Sequence, residues 1–152
     1  MELILWRHAD AEQGSDDKER KLSAKGKKQA KRTAAWLRSR LPENAIVLTS
    51  PARRAMQTAE ALTRRFRIVP RLGTGASAGE ILAAAAWPDG AGASVVVVVG
   101  HQPTLGRVAA LVLTGTEADW KIRKGAIWWF EHDADEEDGS VALRAVVSPD
   151  SL

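Results

Sequence analysis

Five consecutive valines, Val95–Val99, constrain the fold of this 152-residue chain more than any other feature. β-Branched side chains are stiff at χ1 and fit the pleated surface of a strand better than a helix. A strand that is apolar at every position has no solvent face, so it must lie inside a sheet covered by helices on both sides. That is the setting of a central parallel strand. Parallel neighbours need long crossovers, so strands and helices should alternate along the chain.

The rest of the sequence supplies that alternation. Residues 2–6 read as a short apolar strand, and the polar stretch Asp10–Lys21 as a loop. Ser23 is placed to cap a helix whose apolar positions Ala30, Ala34, Leu37 and Leu41 follow helical spacing until Pro42 stops it. Ile46–Thr49 reads as a second strand, and Pro51 opens a helix with Ala55, Ala59, Leu62 and Phe66 on one face. A Gly/Ala-rich loop at 73–79 leads into a helix near 80–87, ended by Trp87-Pro88-Asp89-Gly90. Pro103 starts another helix, through about Thr114. Segments 126–131 and 141–147 read as two strands joined by the acidic turn Asp133–Gly139, an antiparallel hairpin. Of the adjacent Trp128 and Trp129, alternation puts one in the core and leaves the other to mark an exposed apolar patch. The expected fold class is α/β: three α/β/α layers, a mostly parallel mixed sheet and a C-terminal antiparallel hairpin, in a single domain over 1–152.

Composition narrows the chemistry. There is no cysteine, which excludes thiolate nucleophiles, thiolate metal sites and disulfides and suits a reducing cytoplasm. The apolar run after Met1 is too short for a signal-peptide core or a membrane span, so a cytoplasmic chain with no membrane partner is expected. The net charge of +3 is unevenly spread. Residues 1–71 hold 17 Lys/Arg against 8 Asp/Glu, and residues 72–152 hold 5 against 11. A basic half suits nucleic acid or a phosphorylated ligand. The Lys/Arg-rich helix Lys25–Arg40 reads as a solvated face, and no nucleic-acid partner is expected.

The remaining polar residues gather at strand ends. Arg7-His8 follows the first strand, Ser50-Pro51-Ala52-Arg53-Arg54 the second, and Gly100-His101-Gln102-Pro103 the valine strand. Open parallel α/β sheets bind ligands beyond the carboxyl ends of their strands. Helix starts at Pro51 and Pro103 would add free N–H groups favourable to anions. Two histidines, two or three arginines and two helix starts therefore describe a phosphate pocket with a potential nucleophile.

These segments also carry a family resemblance. Leu5-Trp6-Arg7-His8-Ala9-Asp10 resembles the RHG signature of the histidine phosphatase superfamily, with Ala9 where glycine is usual. Ser50 to Ala59 resembles its SPxxRAxQTA signature, and Val98 to Gly106 its third, which carries the second histidine. Leu22-Ser23-Ala24-Lys25-Gly26 is similar to its LTxxG segment. The short chain and Arg20-Lys21-Leu22-Ser23, similar to RPLT with Lys21 for proline, point to the SixA-type phosphohistidine phosphatases.

The resemblance implies that His8 is the nucleophile, that Arg7 and Arg54 clamp the phosphoryl oxygens, and that His101 contacts them as well. Arg53 falls at a variable position. Gln102 is a candidate through its backbone N–H, and Arg20 through closure of its loop over the substrate, the alternative for Arg20 being a surface salt bridge with Asp16, Asp17 or Glu19. The proton donor that ester-cleaving relatives carry has little to match it. Glu80 is the only carboxylate of residues 72–87, and Ser77-Ala78-Gly79-Glu80 fits a helix capping box. Asp10 lies near the nucleophile but out of register. Without a strong acid an alkoxide is expelled ~10²–10⁴-fold more slowly, whereas imidazole needs less help. The expectation is a cofactor-free, metal-free and monomeric phosphohistidine phosphatase acting on protein histidines. Its alternatives are a small-molecule phosphatase or phosphoglycerate-mutase-like enzyme, and a non-catalytic phosphate- or nucleic-acid-binding module.

Overall fold

The computed structural model describes all 152 residues. Its strands are β1 (Glu2–Arg7), β2 (Ile46–Thr49), β3 (Phe66–Ile68), β4 (Val95–Gly100), β5 (Ile127–His132) and β6 (Val141–Val147). Its helices are α1 (Ala24–Arg38), α2 (Arg53–Leu62), α3 (Ala78–Ala84) and α4 (Thr104–Thr114). The strands form one sheet in the order β3-β2-β4-β1-β5-β6. β3, β2, β4 and β1 run parallel, while β5 is antiparallel to both β1 and β6. The valine strand β4 is central and buried at every position.

Side-chain alternation builds the two covering layers. Val96 and Val98, with Leu3 and Leu5 of β1, pack with Ile81 of α3 and Leu105 and Val108 of α4. Val95, Val97 and Val99, with Ile4 and Trp6, pack with Leu37 of α1 and Ala55 and Ala59 of α2. A run apolar at every position thus feeds both cores. The hairpin closes the far edge. Trp129 is buried against Trp36, with ring centroids 6.0 Å apart. Trp128 is half-buried and partly covered by Trp120 at 5.9 Å, while exposed apolar side chains lie beside it on β6, Val146 opposite Trp128 and Leu143 opposite Phe130.

Several boundaries differ from the sequence-based expectation. Phe66 leaves the helical face assigned to it and begins β3, because α2 ends at Leu62 and the chain pairs with β2 instead. The helix expected near 80–87 spans Ala78–Ala84. Ser77 Oγ accepts the Glu80 N–H and starts it two residues earlier. Ala86, at φ +53°, cannot continue it. Pro51 and Pro103 precede their helices rather than opening them, which start at Arg53 and Thr104.

Candidate active site

The parallel register puts three strand ends side by side. Arg7 lies opposite Gly100, and Thr49 opposite Val99. The ladder continues one step beyond, with the His8 N–H donating to Gly100 O at 3.0 Å and the Ser50 N–H to Val99 O at 3.1 Å. Residues 8, 50 and 101 therefore emerge together at the carboxyl end of the central strands. The His8 and His101 rings lie 5.1 Å apart, centroid to centroid.

His8 is held in one tautomer. Its Nδ1 is 2.7 Å from the carbonyl oxygen of Ala9, which can only accept, so Nδ1 carries the proton and Nε2 keeps its lone pair. Burial lowers the His8 pKa to about 4, assisted by the positive charges of Arg54 and Arg7 and opposed by the Ala9 hydrogen bond. The ring is neutral near pH 7. The methyl of Ala9, where the signature usually has glycine, fits a small apolar cluster with Leu22 and Ala30. The Ala9 N–H donates to Thr58 Oγ1, which in turn donates to Arg54 O, so Thr58 ties the loop after β1 to α2. Gln57 likewise accepts the Leu22 N–H through Oε1.

Arg54, in the first turn of α2, is 4% exposed. Its guanidinium donates to the Asp17 carbonyl at 2.7 Å and to the Asp17 carboxylate at 3.2 Å. Arg7 donates through Nη1 to Ile122 O at 2.9 Å, and partial burial pulls its pKa below the usual arginine value. His101 is held by Ser50, whose Oγ lies 2.7 Å from Nε2. Burial lowers the His101 pKa to about 3, with further lowering by His8 and Arg54. Three of the buried nitrogens that have no partner in the protein belong to these residues: Arg7 Nε, Arg54 Nε and His101 Nδ1. A buried donor left unpaired costs about 1–3 kcal/mol, which an oxyanion with several acceptor oxygens would offset.

The other sequence candidates fall into plainer positions. Arg20 pairs with Asp17 at 3.2 Å and donates to Glu12 O, so Asp17 bridges it to Arg54. Arg53 is exposed. The Gln102 side chain spans Trp120 O and the Gly106 N–H, fastening the chain after α4 to the start of that helix, while its own N–H has no partner in the protein. Glu80 is exposed and its carboxylate makes no hydrogen bond, so only the Ser77 half of the capping box forms. Asp10 is pinned by Lys124 and Ser23, which lower its pKa. The salt bridge of Arg20 with Asp17 is the alternative the sequence offered for that arginine; the contact of Asp17 with Arg54, 37 residues away, had no sequence signal. No three His, Cys, Asp or Glu side chains are grouped closely enough to hold a metal ion.

Residues 3–73, which include Arg7, His8 and Arg54, match the family model of the histidine phosphatase superfamily (branch 1). An uncharacterised protein of Picosynechococcus sp. is 34% identical over 123 residues, covering 76% of this chain and 74% of that protein. The chain belongs to the histidine phosphatase superfamily. Within it the likeness to SixA-type members spans nearly everything, including the His101 region beyond the family match. The protein histidine phosphatase SixA, solved in complex with tungstate, superposes with a TM-score of 0.84 at 26% identity over 99% of both chains. SixA of Nakamurella multipartitia gives 0.81 at 28% identity over 97% of this chain and 95% of the other. A phosphoserine phosphatase mutant of Entamoeba histolytica shares this superfamily fold at 18% identity, with a TM-score of 0.72.

Proposed function

We propose that this histidine phosphatase acts on phosphohistidine in proteins through a covalent intermediate on His8. The observation that carries the reading is a neutral, tautomerically fixed imidazole among cationic groups, with no carboxylic acid poised to protonate a leaving group. In the first step the Nε2 lone pair of His8 forms a bond to phosphorus. The other ring nitrogen of the substrate's phosphohistidine takes a proton from solvent beforehand, so the bond from phosphorus to its imidazole nitrogen breaks with the electron pair staying on a ring that leaves as neutral imidazole. In the second step water attacks the phosphoryl group, the P–Nε2 bond breaks with its pair returning to His8, and phosphate leaves.

Arg7 and Arg54 stabilise the equatorial oxygens as charge redistributes. Ser50 Oγ already accepts the Ala52 N–H, so its own proton can go to His101 Nε2. That places the ring proton of His101 on Nδ1, as a donor to the phosphoryl group. Asp17 gives way from Arg54 when the substrate's oxygens arrive.

The leaving group decides the substrate class. Arg20 and Arg54 hold the Asp17 carboxyl below its usual pKa, and Lys124 and Ser23 do the same for Asp10, so both are poor acids near neutral pH. An alkoxide leaving without a proton forfeits the ~10²–10⁴-fold of general acid catalysis. An imidazole, which titrates near neutrality, does not need it. A substrate panel tests this: a phosphohistidine protein should turn over at least about 100-fold faster than phosphoglycerate or a sugar phosphate. Faster hydrolysis of the esters would refute the reading.

A further inference from the structure

Beside the candidate pocket lies an open groove of about 470 Å³, of whose lining the reaction itself uses only Arg7. Arg7 forms one wall, and Lys25, Gln29, Lys121, Arg123, Lys124 and Asp150 complete it. Lys25 and Lys121 have no carboxylate within salt-bridge distance. Lys124 pairs with the half-buried Asp10 at 2.8 Å, and Arg123 pairs loosely with the exposed Asp150 at 3.5 Å. Five cations thus face two carboxylates, an arrangement whose self-repulsion an anionic partner relieves.

The segment that carries three of these cations is fixed in place. Residues 116–126 form no helix or strand, yet Trp120 and Ile122 point inward while Lys121, Arg123 and Lys124 are exposed. Ile122 O accepts from Arg7, and the Gly125 N–H donates to the carbonyls of Arg7 and His8. Gly125 O accepts from Trp6 Nε1 and Thr33 Oγ1, and Trp120 O from Gln102. Gly106 permits the approach, since a Cβ there would meet Trp120 O at 1.8 Å. The chain that positions Arg7 therefore also holds a row of cations at the mouth of the site.

We infer that this groove is a specificity site that binds acidic side chains flanking the phosphorylated histidine of the substrate protein. The inference rests on the phosphatase reading above and adds the chemistry of the partner's surface. The charge row extends sideways from the reacting group over several side chains, which suits carboxylates spread along a polypeptide better than one compact second phosphate.

The test compares wild type with Lys121→Glu/Arg123→Glu, whose altered residues are exposed and outside the reaction centre. Substrates are a phosphohistidine peptide with Asp/Glu flanks, the same peptide with Ala flanks, and phosphoramidate. Charge reversal should raise KM for the acidic peptide about fivefold or more. It should leave kcat and phosphoramidate turnover unchanged, which also shows that the variant folds. Equal KM values for the two peptides in wild type, or an unmoved KM in the variant, would overturn the inference, as would a variant defect confined to small bisphosphates. Binding of the unphosphorylated Asp/Glu peptide, measured directly on both proteins, reads the groove without turnover. Acidic-peptide binding lost on charge reversal in an otherwise inactive protein would sink the phosphatase reading and leave the groove standing.

Discussion

At the scale of single residues, the two histidines tie the site's readiness to the protein's stability. Their folded pKa values, about 4 for His8 and about 3 for His101, lie below the ordinary 6.5 because burial penalises the charged ring. Above pH 6.5 both the folded and unfolded chains hold neutral rings. As pH falls through 6.5 the unfolded chain takes up protons that the folded one refuses, so stability declines until the folded pKa is reached. Each ring contributes a slope of up to about 1.4 kcal/mol per pH unit in that window. Denaturant unfolding between pH 7 and 5 should therefore show a loss of stability in wild type, and a shallower loss in His8→Gln. An identical slope in the two proteins would contradict a buried, neutral His8. Arg7, His8, Arg54 and His101 were legible because the signatures mark them. Asp17 was not, because its pairing with Arg54 depends on how an irregular loop folds back.

Among elements, the legible part was whatever followed a period. The valine strand, the helical spacing of Ala30, Ala34 and Leu37, and the terminal hairpin all formed where expected. The strand Phe66–Ile68 did not announce itself. It has three residues, Arg67 and Ile68 are exposed, and Phe66 continues the spacing of α2; only non-local pairing with β2 makes it a strand. The glycine of Leu22-Ser23-Ala24-Lys25-Gly26 shows what a signature residue can mean physically. A Cβ on Gly26 would meet Asp10 O at 1.8 Å, so glycine lets α1 approach the chain two residues past His8. Helix propensity alone favours alanine there by about 1 kcal/mol. The contact should outweigh it, and Gly26→Ala should destabilise by about 1–3 kcal/mol. Gly79 in α3 is the contrast, with nothing closer than Ser77 Oγ at 4.0 Å, so Gly79→Ala should stabilise by about 0.5–1 kcal/mol. Thermal unfolding of the two variants checks the pair; equal signs would refute the packing argument.

Over the whole molecule, charge is sorted along the sheet. β5 starts with Ile127 opposite Trp6, near the site, and reaches Glu131 opposite Glu2 at the far end. The acidic turn Asp133–Asp138 therefore lies at the end remote from His8, whereas Arg7, Lys121, Arg123 and Lys124 gather beside it. Lys121, Arg123 and Lys124 belong to the acidic half of the sequence, so it is the fold rather than the order of residues that gives the molecule a cationic rim at its site and an acidic opposite end. Such a field raises the encounter rate with anionic substrates and is screened by salt. Raising ionic strength from about 0.01 M to about 0.15 M, which shortens the Debye length from ~30 to ~8 Å, should lower kcat/KM for a phosphohistidine protein. Its kcat should be unchanged. A kcat/KM independent of salt would count against steering.

In the proposed mechanism phosphoryl transfer passes through His8 itself. Mixing the protein with a phosphohistidine protein labelled on phosphorus, then quenching within milliseconds under alkaline conditions, measures this directly. Label should appear on His8 in wild type before phosphate is released, and neither label nor turnover should appear in a folded His8→Ala variant. Turnover by His8→Ala, or release of phosphate from wild type with no label ever found on His8, would contradict it.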